Sequence, residues 1–381
     1  MTKSNVTKLD YLKAAMMFLP IILYSPFFLT EVLYRPLRIG YFLLLSTYLF
    51  FSSTRYSKND ALIFVAFLLL SIIMVLGNSS GALGLISIGN YLLTIFFGWS
   101  LYRYLKSSTL RSDILVGLYV KFFFLVAICS ILSIFYLPIF GELDLFGIKS
   151  DIYIHLVTPF GVVLKKEFYI IEIYRSYFYF VEPVYAGMFY AANIFLVAPY
   201  LNDKARFFII VNLVGGFLTY SITFYIVLFA LYIVKKFKSL FYSIAILIYL
   251  FFVIYLTQIS DIMQYSSLDD RLERFDLFFM AMDSANTAQS LFGHGVIAVT
   301  GDVKAFSSGL ATSIFEFGYV GTVLQMIILF ALRPSFIILI LFILTAAVVD
   351  PIKMPLFWFL IIATSHTLSG EMINFKIVRR K

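Results

Sequence analysis

Two hydrophilic stretches of the chain hold the side chains best suited to chemistry. Arg175, Tyr177, Tyr179 and Glu182 close the first, Arg271, Arg274 and His294 lie in the second, and Glu316 follows it inside an apolar run. A carboxylate or imidazole can take a proton from an attacking hydroxyl. Glu182 stands at the mouth of an apolar segment, where a carboxylate costs desolvation unless it is paired or wet; the ordinary reading is a helix-start carboxylate stabilised by the dipole. Arg175 reads either as a site residue or as an interfacial arginine with its stem in the apolar layer. Arg271 and Arg274 project from one helix face, and a ladder with Asp270, Glu273 and Asp276 is the plainer use of them. His294 sits between Gly293 and Gly295 in a turn whose glycines let backbone approach a ligand, or it is simply solvated. Glu316, in Ser313 to Tyr319, has no local cation and needs a partner from elsewhere, most simply a loop arginine. His366 and Glu371 read as interfacial.

The elements that hold these residues must live mostly in lipid. Of 381 residues 62% are apolar and 13% charged, and the mean hydropathy is +0.96. A soluble domain carries about a quarter charged residues. One cysteine, Cys129, excludes an intrachain disulfide and a cysteine-built zinc or iron-sulfur site. His155, His294 and His366 are too far apart for metal-ligand spacing, so no metal and no cofactor is expected. The net charge of +8 comes from short basic clusters between apolar runs, which is how membrane proteins fix orientation; nucleic acid is not an expected partner.

Cutting the sequence at those clusters predicts an all-α, polytopic membrane protein. The expected spans are 14–33, 37–53, 61–76, 82–102, 114–138, 184–201, 207–234, 240–259, 310–331, 336–349 and 356–370. The 207–234 run has basic clusters at both ends, so an even number of crossings is required, and it divides at Thr219, Tyr220 and Ser221. About 12 helices result, forming one membrane domain over 1–381 with both termini cytoplasmic. Most of the 29 Lys and Arg then fall inside, and the two long loops, 141–182 and 260–309, fall outside. Pro183 is a natural helix start. Leu268, Leu272, Phe275, Phe279 and Met282 mark one face of an amphipathic helix, expected in the membrane interface or packed on the bundle.

The segments RSYFYFVEPVYAG, LTYSITFY, RLERF and SLFGHGV with SIFEFGYVGTV, in this order and topology, resemble the bacterial O-antigen polymerase (Wzy-type) family. Each motif is short, and the set carries the resemblance over nearly the whole chain. The related O-antigen ligases usually carry a later loop histidine, where this chain reads AFSSGLATS, which favours polymerase over ligase. The resemblance implies a metal-independent glycosyltransferase of the bacterial cytoplasmic (inner) membrane that joins undecaprenyl-diphosphate-linked oligosaccharide repeat units at the outer face, for lipopolysaccharide O-antigen, capsule or another polysaccharide. Besides that substrate and the bilayer, a chain-length regulator and a flippase are the implied partners. Arg175, Arg271 and Arg274 would then hold the diphosphate, since guanidinium forks bind phosphate oxygens in pairs. Glu182, His294 and Glu316 are the catalytic candidates, with Glu182 or His294 as base, and Tyr177 and Tyr179 would stack on sugars or belong to the interfacial aromatic belt. A flippase is the competing class. It usually shows two related halves, whereas this chain has asymmetric loops.

Overall fold

The computed structural model describes residues 8–23, 31–53, 57–77, 81–107, 112–141, 154–168, 171–176, 183–197, 201, 205–236, 276–295, 309–332, 341–342 and 354–362. The expected spans 240–259 and 336–349 lie mostly or wholly outside these residues. What is described is mainly helix. Lys58–Leu76, Gly84–Ser107, Ile114–Phe140 and Gly309–Ala331 are long and apolar enough to cross a membrane.

The chain packs as two compact units, Met1–Tyr41 with Leu110–Lys235, and Phe42–Thr109 with Lys236–Lys381. The first contains α1 (Lys8–Leu23), the start of α2 (Glu31–Ser52), α5 (Ser112–Phe140), β1 (Ile154–Thr158), β2 (Gly161–Phe168), β3 (Ile171–Ser176), α6 (Pro183–Ala192), α7 (Ala205–Leu218) and α8 (Ile222–Lys236). Pro183 does open α6. The helix is buried almost throughout, and small residues bring its neighbours close: a Cβ on Gly187 would stand 3.0 Å from the Cβ of Phe224, and one on Gly215 would meet the Tyr190 ring at 2.9 Å. α6 loosens into a π turn at Asn193–Val197. There the Tyr119 hydroxyl donates to Asn193 Oδ1 (2.7 Å), Asn193 Nδ2 to Asn212 Oδ1 (2.8 Å), and Asn212 Nδ2 to the Phe208 carbonyl (2.8 Å).

Charge clusters alone do not reveal the antiparallel sheet inside the first long loop, ordered β1-β2-β3. Its sequence, IHLVT then GVVLKKEF then IEIYRS, is rich in the β-branched residues that favour strands. Thr158 pairs with Gly161 across a two-residue connection, where the Phe160 amide donates to Thr158 Oγ1 at 3.2 Å. The sheet sits on the end of α5: buried Val163 meets Leu137, and Thr158 Oγ1 donates to Ser133 Oγ at 3.1 Å.

The second unit holds the rest of α2, α3 (Lys58–Leu76), α4 (Gly81–Ser107), a helix over 276–283, the short helix Thr287–Phe292, the long helix Gly309–Ala331 and a helix over 355–362. α3 and the long helix run antiparallel. At one end Asn59 Nδ2 donates to the Ala331 carbonyl (2.8 Å); further along, Leu70 faces Gly321; at the other end Gly77 faces Gly295. The Asn59 end is tied by a buried polar cluster. Ser57 and Asp60 form a capping box at the start of α3, Trp99 Nε1 donates to Asp60 Oδ1 at 3.1 Å, and Arg103 Nε lies 3.8 Å from the same oxygen. Arg103, only 1% exposed, also stacks over Phe50 at 4.1 Å. Three hydroxyls within the apolar helices bond back one turn, Ser46 to Phe42, Ser71 to Phe67 and Thr94 to Asn90, so these three do not depend on water.

Candidate functional site

Two junctions carry three of the residues picked out by sequence, Arg175, His294 and Glu316. In the first unit, β3 places Arg175 beside the polar break in the 207–234 run. α7 ends at Leu218 and α8 begins at Ile222, so the division falls at Thr219, Tyr220 and Ser221 as the sequence predicts. Tyr220 adopts a positive φ of 45°, and Thr219 Oγ1 donates to the Gly216 carbonyl at 2.7 Å. The Thr219 carbonyl, at the negative end of α7, accepts from Arg175 Nε at 2.9 Å, where a cation is favoured by the helix dipole. The half-buried guanidinium thereby joins two motifs 44 residues apart. Phe217 lies against Phe224 and Tyr225, closing the turn with rings (5.6 and 5.7 Å between centroids).

In the second unit, the long helix is broken at Gly318, whose φ of 68° and ψ of −178° are not helical. A break of this kind releases the carbonyls one turn earlier. Those of Phe315 and Glu316 accept instead from the His294 amide (2.8 Å) and the Gly295 amide (3.1 Å). The Gly318 carbonyl takes the Thr322 hydroxyl at 2.9 Å. The contact is backbone on backbone. A Cβ on Gly293 would strike the Glu316 carbonyl, and one on Gly318 would strike the Leu291 carbonyl. Both glycines have positive φ as well, 85° and 68°.

The His294 ring stacks flat on Phe315, 4.1 Å between centroids and 1° between planes, and Nδ1 lies 3.3 Å from the Phe315 carbonyl. A carbonyl only accepts, so the contact is a hydrogen bond in the tautomer that carries its hydrogen on Nδ1, and in that tautomer Nε2 is the accepting nitrogen. Glu316 is 4% exposed and directly follows the residue on which His294 stacks. The junction therefore brings two of the three catalytic candidates together through backbone bonds.

Arg175 belongs to one unit, and His294 and Glu316 to the other. Glu182, Tyr177, Tyr179, Arg271 and Arg274 lie outside the described residues, as do the arginines expected to pair with Glu316. The amphipathic helix is described over 276–283, where Phe279 is exposed and Met282 half-buried. Sequence reasoning missed Phe315 as the platform under His294, and Gly318 as a break; the signal for the latter is one glycine in an apolar run. Compared with known families, characterised proteins and solved structures, the chain matches none.

Proposed function

We propose that the chain is a polysaccharide polymerase of the cytoplasmic membrane, transferring the growing glycan from undecaprenyl diphosphate to a hydroxyl of the next lipid-linked repeat unit. The observation that supports this reading is pairwise meeting of the motif segments. Arg175 of the RSYFYFVEP motif bonds the carbonyl of Thr219 in LTYSITFY, and SLFGHGV bonds SIFEFGYVG through the His294 and Gly295 amides. Segments that together carry the likeness to one family are thus positioned, pair by pair, by contacts with one another.

In this reading the long loops 141–182 and 260–309 are extracytoplasmic, with 12 helices and cytoplasmic termini. The antiparallel course of α3 and the long helix agrees with that alternation. Arg175, Arg271 and Arg274 stabilise the departing diphosphate, where charge builds up in the transition state. His294 Nε2 or the Glu182 carboxylate takes the acceptor proton, with Glu316 as the third acid available. Tyr177 and Tyr179 stack on sugar faces.

The test is a deletion strain. Loss of the long-chain ladder, with single repeat units still attached to their acceptor, is the expected result. Loss of all attachment, single units included, would identify a ligase. Repeat units accumulating on the cytoplasmic leaflet would identify a flippase.

A further inference from the structure

α3 serves as a depth ruler for the second unit. Its 19 residues, at about 1.5 Å each, measure about 28 Å, close to the ~30 Å of bilayer hydrocarbon. Asn59, at its start, is bonded to Ala331; Gly77, at its end, faces Gly295, whose amide nitrogen would lie 3.5 Å from a Gly77 Cβ. Gly295 therefore sits at the edge of the hydrocarbon.

The chain just before it goes deeper. His294 is level with Phe315, whereas the Leu291 carbonyl is against Gly318. Gly295 is level with Glu316, so Gly318, two residues further towards Ala331, lies about 3 Å below that edge. Yet Leu291 is 40% and Phe292 46% exposed. Apolar side chains exposed at the headgroup/acyl boundary are covered by acyl chains in preference to water. Across the short helix the character changes: Asp283, Ser284, Asn286 and Thr287 are all exposed, and a bare carboxylate at Asp283 excludes hydrocarbon there. Phe279 and Met280, also exposed, lie on the helix preceding that polar turn.

We propose that the segment 276–295 is a re-entrant anchor: Leu291 and Phe292 insert among phospholipid acyl chains of the leaflet on the Gly309 side, while the turn at 283–287 stays in the headgroup layer. The anchor fixes the height at which the His294 junction meets the membrane surface. The anchor requires membrane residence and is independent of any enzymatic activity.

Site-directed spin labels test it. On a Cys129→Ser background, single cysteines at Leu291, Phe292 and Asn286 are labelled in full-length protein reconstituted into phosphatidylglycerol and phosphatidylethanolamine vesicles. Collision with oxygen should exceed collision with a water-soluble nickel chelate at 291 and 292, and the order should reverse at 286. Nickel dominance at 291 and 292 would place them in water; labels shielded from both reagents would mean that protein covers them. Either result overturns the anchor. Should the cysteine variants fail to fold, Phe292→Trp in the otherwise native chain gives the same answer. Trp99 and Trp358 are buried, so the added fluorescence is the component lost to brominated acyl chains and retained with aqueous iodide. Loss to iodide instead would reject the proposal.

Discussion

Arg175 Nε donates to the carbonyl of Thr219 at 2.9 Å, tying the third strand of the loop sheet to the turn between α7 and α8. A hydrogen bond with a charged partner contributes about 1.5 to 3 kcal/mol, and half-burial puts this one at the lower end. Arg175→Ala should therefore lower the unfolding temperature of the purified protein measurably and abolish long-chain product. Arg175→Lys keeps a cation at the helix end but loses the planar fork, and should recover stability more fully than chain length. Unchanged melting and product in the alanine variant would dismiss both roles.

The His294 junction makes a sharper prediction, because its glycines are required twice over, by positive φ and by backbone proximity. Positive φ with ψ near 180° is a conformation essentially confined to glycine, and it costs a side-chain-bearing residue roughly 1 to 3 kcal/mol before any collision is counted. Gly318→Ala and Gly293→Ala should each fail to accumulate, or accumulate without activity. Gly89→Ala, on α4, is the control: nothing lies within 4 Å of its added methyl, so yield and activity should match the parent. Immunoblots of membranes with matched transcript levels decide the matter.

At the opposite end of that unit, Asp60 and Arg103 are a buried pair with Trp99 as a second donor. Removing one partner of such a pair costs about 3 to 5 kcal/mol, because the other charge is left buried alone. Asp60→Asn should thus be far more harmful than Trp99→Phe, which gives up one neutral donor at about 1 to 3 kcal/mol. Combining Asp60→Asn with Arg103→Met should restore much of the loss, read as a double-mutant cycle in thermal unfolding.

Sidedness is tested by labelling. Lys204 and Lys236 bracket α7 and α8, and cysteines at both positions should react with an impermeant maleimide from the cytoplasmic face only. Reaction from opposite faces would leave one crossing in the 207–234 run and reduce the count of 12.

The α7/α8 division is legible in sequence because it combines two independent signals, basic clusters at both ends and a polar triplet in the middle. Pro183 is legible for a local reason, its missing amide. The sheet is not read from charge clusters, because Lys165, Lys166 and Glu167 mark the loop as hydrophilic while β-branched residues on either side pair into strands. Ser57-x-x-Asp60 carries a capping-box pattern that sequence can supply; its partners Trp99 and Arg103, about forty residues on, are set by how α4 returns along α3. The break at Gly318 escapes hydropathy altogether, since EFG lies inside an otherwise apolar run and the amides of His294 and Gly295, distant from it in sequence, help to stabilise the opening. Arg175 is recognisable as unusual from sequence alone. Its bond to a particular carbonyl 44 residues away depends on the register of β3 against β2.

The line of side chains from Tyr119 through Asn193 and Asn212 to the Phe208 carbonyl has a direction. Every link donates the same way, and the last acceptor is a peptide oxygen that has no proton to pass on. Two of the three members are amides, which neither gain nor release a proton near neutrality. A row of polar groups through an apolar bundle invites comparison with a proton wire; this one is wired one way into a dead end. Its consequence is mechanical: the π turn in α6 is locked in rotation against α5 and α7, and a solute gradient finds no conductor along it.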